Sequence, residues 1–234
     1  MNAEEISQIL HNHANPDIAE HSMRFFKTGP GEYAEGDRFL GIRVPEQRKI
    51  ARKYKNLGLE DTEKLLQSDY HEERLTALFI LEYKFPKATE EEQERIYRLY
   101  LNNLNHINNW DLIDNSAPKI MGAWLIDKPK DILYELAESE NLWERRIAIM
   151  TTFRFIRNDQ FDDTFKIAEI LLQDEHDLIH KATGWMLREM GKKDRKLLED
   201  FLKGRYRHMP RTMLRYAIEK LPEPLRKSYL EGKI

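Results

Sequence analysis

The sequence predicts an all-α fold in which helix pairs stack as a solenoid, an α-α superhelix, and three observations carry that expectation. Apolar residues recur at helical spacing through most of the 234 residues, a pattern that gives each helix one buried face. Helix start and stop signals follow one another closely, with no long linker or low-complexity tract between them. Small residues recur in comparable contexts at Ala77, Ala148, Ala182 and Ala217, separated by 71, 34 and 35 residues. A period near 35 holds two helices, and 71 is close to two such units with Ile113 between them. An irregular helical bundle is the alternative reading of the same alanines.

Along the chain, Asn15-Pro16 places a cap residue before a proline at a first-turn position. The stretch from Thr28 to Asp37 holds three glycines and a proline, and Phe39-Leu-Gly-Ile-Arg-Val-Pro45 follows it. That turn chemistry allows a short β-hairpin around residues 30–41, or an ordered loop. It is not a phosphate-cradling loop, because no Gly-Lys-Ser/Thr follows and no strand precedes it. Helix is expected to resume at Pro45. Asp69 with Glu72, and Thr89 with Glu92, have capping-box spacing. Between them a helix should bury Leu75, Leu78 and Phe79 and expose Glu72, Glu73 and Glu82. Gly58, Pro86, Lys128-Pro129 and Gly191 read as stops. The expected organisation is a single domain over residues 1–234.

Composition narrows the function classes. There are no cysteines, which removes disulfides, thiolate zinc sites and cysteine nucleophiles. No apolar run reaches the roughly 18 residues of a membrane span. The start, Met-Asn-Ala-Glu-Glu, lacks the basic and apolar stretches of a signal peptide. A cytoplasmic location, in a bacterial cytosol or at its nucleoid, is the expectation. The formal charge is only −3, but it conceals a gradient: residues 1–140 sum to −8 and residues 141–234 to +5. Chance segregation of solvated charges accounts for such a gradient as well as a basic groove does.

One constellation carries chemistry. In Asn108-Asn-Trp-Asp-Leu-Ile-Asp114, Trp110 and Asp114 are four apart and share a helix face, while Asp111 suits an N-terminal cap. One period later come Arg145 and Arg146. After another comes Trp185, with Lys181 four residues before it and Arg188 three after. If the repeats stack, Trp110, Asp114, Arg146 and Trp185 converge. A carboxylate between indoles suits a developing positive charge, such as the oxocarbenium-like sugar formed when a cationic purine leaves its glycosidic bond. Neighbouring cations would hold phosphates. The competing reading makes the tryptophans core residues and Asp114 a cap or ion-pair partner.

These residues resemble a family. Trp110-Asp-x-x-Asp114, Asn141-x-Trp-x-x-Arg146-x-Ala, Lys181-Ala-x-Gly-Trp185-x-Leu-Arg188-Glu and Phe39-x-Gly41-Ile-x-x-Pro45-Glu-x-Arg48 are similar to the signatures of the AlkD-type DNA alkylation repair proteins. The resemblance runs from about residue 17 to residue 220. It implies a HEAT-like-repeat fold and a glycosylase that removes N3- or N7-alkylpurines from duplex DNA without flipping the base. It further implies Asp114 as the catalytic carboxylate, and Trp110 and Trp185 as contacts to sugar and backbone. Arg146, Arg145, Lys181, Arg188, Arg43, Arg211 and Arg215 are the expected phosphate-binding residues. No metal and no cofactor are implied; the partner is double-stranded DNA, damaged or branched, and a monomer is favoured. Two features separate this chain from the active pattern. Asn109 stands where that pattern has a second aromatic, and the 28–38 loop resembles the hairpin insertion of paralogues that bind branched DNA without excision. A non-catalytic junction binder, or a protein scaffold, is therefore the alternative function.

His176 and His180 are four apart but lack the glutamate of a zinc-protease helix, and His11 and His13 cannot share a face, so neither pair reads as a metal site. The run Arg205-Tyr-Arg-His-Met-Pro-Arg211, with Arg215, reads as a phosphate contact or as a solvated face.

Overall fold

Asparagines start the first two helices. The computed structural model describes residues 2–234. At α1 (Ala3–His11) Asn2 and Glu5 form a reciprocal capping box. At α2 (Pro16–Phe25) the Asn15 side chain accepts from the backbone N–H groups of Asp17 and Ile18, with proline in the first turn as expected. There follow α3 (Val44–Lys53), α4 (Leu59–Leu66), α5 (His71–Lys84), a 3-10 turn at Phe85–Lys87, and α6 (Glu90–Asn102). Thr89 caps α6 by accepting from Glu92 N, one half of the capping box its spacing predicted. After α7 (Trp110–Ser116) and α8 (Met121–Leu125) come α9 (Asp131–Ala137), α10 (Leu142–Arg157), α11 (Asp162–Ile170) and α12 (Asp177–Lys193). The last are α13 (Arg195–Leu202), α14 (Arg211–Ala217) and α15 (Glu223–Leu230). All regular structure among the described residues is helical, and none of these helices is long and apolar enough to cross a membrane.

The chain divides into two compact units, one that runs to Trp124 and one from Leu125 to Ile234. In the first unit α5 is the central helix, with α1, α3, α4 and α7 packed against it. Leu75, Leu78 and Phe79 are buried as predicted, but so are Ile80 and Leu81; each such side chain contributes about 1.5–3 kcal/mol on burial. Because α5 is covered on several sides, Glu72 and Glu73 are also buried, at 2% and 5% exposure, against the expectation of an exposed acidic face. Glu72 does not complete a capping box with Asp69 either. Its carboxylate accepts from the backbone N–H groups of Leu40 (2.8 Å), Gly41 (2.8 Å) and Ile42 (3.2 Å). Glu73 accepts from Ser7 Oγ at 2.6 Å and lies 3.1 Å from His11 Nε2.

No β-hairpin forms at residues 30–41. The segment winds instead into successive turns, closed by Glu32 N to Gly29 O, Ala34 N to Lys27 O and Asp37 N to Ala34 O. Glu32 and Glu35 side chains accept from Gly29 N and Gly31 N and tie the turns locally. The extended residues that follow spend their donors on Glu72, so no second strand is available to them; a lone parallel bridge joins Arg38 to Tyr70. Gly41 sits at φ +82°, and a β-carbon there would meet Asn15 O at 2.1 Å. Only glycine permits that approach of the loop to the start of α2.

In the second unit α10 packs on α12 and α12 on α14, while α9 and α11 pack on α10 and α13 packs on α12. The three central helices begin at Leu142, Asp177 and Arg211, which reproduces the period near 35. Ala148, Ala182 and Ala217 sit buried on them. Helix α12 continues through Gly191, read from the sequence as a stop, with Leu198 of α13 packed where a side chain would stand. Gly184 has the same role towards α14: a β-carbon would lie 2.5 Å from Met213 O and 2.6 Å from Tyr216 Cβ. Gly184→Ala is therefore expected to destabilise the protein by about 1–3 kcal/mol through forced separation of α12 and α14. Chemical denaturation measures it, and an unchanged midpoint would contradict the close packing.

Candidate active site

Asn109, not Asp111, starts α7, with its side-chain oxygen accepting from Trp110 N at 2.9 Å. Four residues apart on this helix, Trp110 and Asp114 are both half-buried and share a face, as the spacing predicted. Trp110 is stacked on Phe26 (ring centroids 5.2 Å apart, planes at 21°) and meets Phe25 edge-on at 5.9 Å. Phe25 is 57% exposed beside it. Two aromatic rings from the end of α2 thus lie beside Trp110. Asp114 lies within electrostatic reach of Tyr100, whose phenol is pushed up mainly by burial, with the Asp114 charge adding to the shift against its hydrogen bond with Ser116. Arg48 braces the same helix by donating to Asn115 Oδ1 at 2.8 Å while its guanidinium lies over Phe79 and pairs with Glu82.

Asp111 has a different part from the cap role expected of it. It turns into the interior, where His71 Nε2 contacts its Oδ2 at 2.9 Å; His71 Nδ1 contacts Asp37 Oδ2, also at 2.9 Å. Asp37 in turn accepts from Arg74 at 2.7 Å. Burial opposes a charge on His71, but the Asp111 and Asp37 carboxylates outweigh it and raise the imidazole to about 9. Burial likewise opposes ionisation of Asp37, and His71 with Arg74 lowers its pKa nonetheless. Phe39 stacks on the His71 ring at 4.5 Å. Next to this network, a cavity of about 580 Å³ is lined by residues of α2, α3, α5 and α7 and by Phe39 and Arg43. Sequence reasoning does not single out His71 and Asp37. The signal that points to His71 is its register with Leu75 and Leu78, at i, i+4 and i+7 on one buried face.

The second unit holds the remaining expected site residues. Trp185 on α12 is half-buried, donates Nε1–H to Glu189 at 3.1 Å and lies 6.0 Å from Phe153. Arg188 pairs with Glu189 and Glu219. Lys181 pairs with Asp177 at 2.6 Å on an exposed face. Arg211 and Arg215 are exposed at α14, and Arg211 reaches Leu230 O. Arg43, exposed before α3 in the first unit, borders the cavity. Two expected phosphate contacts, Arg146 and Arg145, make hydrogen bonds within the second unit. Arg146 is buried and donates to Leu178 O at 2.6 Å. Arg145 pairs with Asp174 at 2.6 Å and donates to the carbonyls of Ser139 and Glu140. Their motif therefore fixes α10 against the start of α12. His176 caps α12 and His180 contacts Asp174 O; among the described residues no group of three His, Asp or Glu is arranged to hold a metal.

The family model described as DNA alkylation repair enzyme matches residues 6–221. Among solved structures, a predicted DNA alkylation repair enzyme from Enterococcus faecalis is similar in fold, with a TM-score of 0.71 and 20% identity over 90% of this chain and 98% of that one. Smu.31 from Streptococcus mutans UA159 aligns at 18% identity over 86% and 89% of the two chains, with a TM-score of 0.47. No curated protein matches the chain in sequence. An all-helical chain matched by this model over nearly its whole length belongs to the DNA alkylation repair enzyme family.

Proposed function

We propose that the protein is a DNA glycosylase that hydrolyses the N-glycosidic bond of cationic N3- and N7-alkylpurines in duplex DNA, with the base left in the stack. The observation that supports it is the half-buried Trp110–Asp114 face of α7, aromatic at one end and acidic one turn on. In the reaction the C1′–N bond breaks and its electron pair leaves with the base, which neutralises the purine cation. The sugar becomes an oxocarbenium ion, and the Asp114 carboxylate stabilises that charge. Water then adds through oxygen to C1′ and gives its proton to Asp114. The partner is double-stranded DNA. The exposed cations Arg211, Arg215 and Arg43, with the half-buried Lys181, are assigned to phosphates, and Trp185 to the backbone, while Arg188 stays committed to its glutamates. No metal or cofactor enters these steps.

The branched-DNA alternative drew on a hairpin insertion, and residues 28–37 are wound turns without one. The test is incubation of the protein with a methylated duplex and chromatography of the supernatant. Free 3-methyladenine or 7-methylguanine, with abasic sites left in the DNA, is the expected result. Intact methylated DNA combined with tight junction binding would overturn the proposal in favour of the non-excising class.

A further inference from the structure

We propose that the cavity between the C-terminal ends of α3 and α5, in the first unit, is a phosphate-binding site that takes a backbone phosphate of the DNA strand. Its volume is about 230 Å³, and Lys55, Lys84 and Lys87 line it against a single carboxylate, Glu92. Lys55 is half-buried and, among the described residues, has no carboxylate, carbonyl or ring as partner. The Lys84 side chain is only 15% exposed, and Glu92 lies 4.0 Å from its Nζ, too far for a hydrogen bond. Neither nitrogen is among the sealed, unpartnered polar atoms of the described residues, so both stay open to a ligand. Lys87 is exposed on the 3-10 turn after α5. Three ammonium groups against one carboxylate leave positive charge in excess, and partial burial strengthens its attraction for an anion.

The cavity ends a longer row of cations. Arg48, Arg52 and Lys55 follow one another at i, i+4 and i+7, so they share one side of α3 and of the turn after it. Arg48 begins the row beside α7, where it donates to Asn115, the residue after Asp114. Arg52 lies over the Tyr83 ring at 5.7 Å, and Lys55 closes the row at the cavity. The row rises about 10 Å along the helix, a distance over which one DNA strand presents about three phosphates. A line of point charges of that length matches a strand backbone, whereas a free anion would occupy only its end. The site forms a basic island within residues 1–140, whose net charge is −8. It rests on duplex DNA being the partner and not on base excision.

Fluorescence anisotropy of the full-length chain with a labelled, unmethylated duplex across a salt series tests the inference. Lys55→Gln, Lys84→Gln and Lys87→Gln combined are expected to weaken binding about tenfold or more at low salt, with the circular dichroism spectrum retained. The slope of log affinity against log salt should flatten by about 2–3, since each lost phosphate contact removes roughly 0.9; Lys55→Gln alone should flatten it by about 1. The same charge removed at Lys166, Lys196 and Lys203, exposed residues of the second unit outside the row, should change affinity less than about threefold. Unchanged affinity and slope in the cavity variants overturn the inference, because lysines that only serve helix ends act on stability alone. Equal losses in the two triple variants overturn it in favour of net charge. Absence of duplex binding by the unmodified chain removes the DNA reading and this site with it. Release of methylated base, measured on the same samples, judges the glycosylase reading separately.

Discussion

Asp114→Asn is expected to lower the release of methylated purine from duplex DNA by about 10²–10³-fold, the usual cost of removing one group that stabilises transition-state charge. The substitution keeps the size of the side chain and its ability to hydrogen-bond, and removes only the negative charge. Asp114 is half-buried on α7, and a circular dichroism spectrum of the variant checks that the fold is kept. Duplex affinity, set by phosphate contacts elsewhere, should change little. Release kinetics at saturating protein, set beside a fluorescence-anisotropy titration, separate the two effects. Release at the wild-type rate from the Asn variant would falsify the assignment of Asp114, whatever the fate of the family's chemistry.

His71→Ala is expected to be among the most destabilising substitutions in the chain. It removes the positive centre between two buried carboxylates, Asp37 and Asp111. Breaking a buried pair by deleting one partner costs about 3–5 kcal/mol, because the remaining charge stays desolvated. For a chain of this length, that is a fall of about 6–20 °C in melting temperature. The same network makes the intact protein pH-sensitive. Since folding raises the His71 pKa from 6.5 to about 9, its contribution is fully present below pH 6.5 and is lost as pH rises through about 9. The loss is on the order of 3 kcal/mol. Asp37 acts in the opposite sense: its pKa is lowered from 3.8, so its contribution is lost as pH falls through the folded value. Urea titrations between pH 6 and 10 should show wild-type stability decline across that window and His71→Ala decline less. Parallel pH profiles for the two proteins would refute a charged His71.

The Trp110–Asp114 face, the Asn15 and Thr89 caps, the period of the central helices and the buried alanines are legible in the amino-acid sequence alone, and each for a local reason. Capping, helical register and repeat length depend on residues a few positions apart, or on spacing within one repeating unit. The glycines of the family motifs are visible as residues, although the reason for them is not. Gly41 is required by the Asn15 backbone and Gly184 by Met213, contacts 26 and 29 residues away in sequence.

What only the tertiary structure decided is the fate of charge. Glu72, Glu73, Arg145 and Arg146 have the composition of solvated residues, and a helical wheel places such groups outside. Glu72, Glu73 and Arg146 are buried and Arg145 half-buried because neighbouring segments cover α5 and the first turn of α10, and because each finds partners there: backbone N–H groups for Glu72, Ser7 for Glu73, carbonyls for both arginines. The Asp37–His71–Asp111 chain joins a loop, α5 and α7 over 74 residues of sequence. Its physical basis is long-range: a buried ion persists only where packing delivers a counter-ion, and periodicity along one segment does not say which residue that will be.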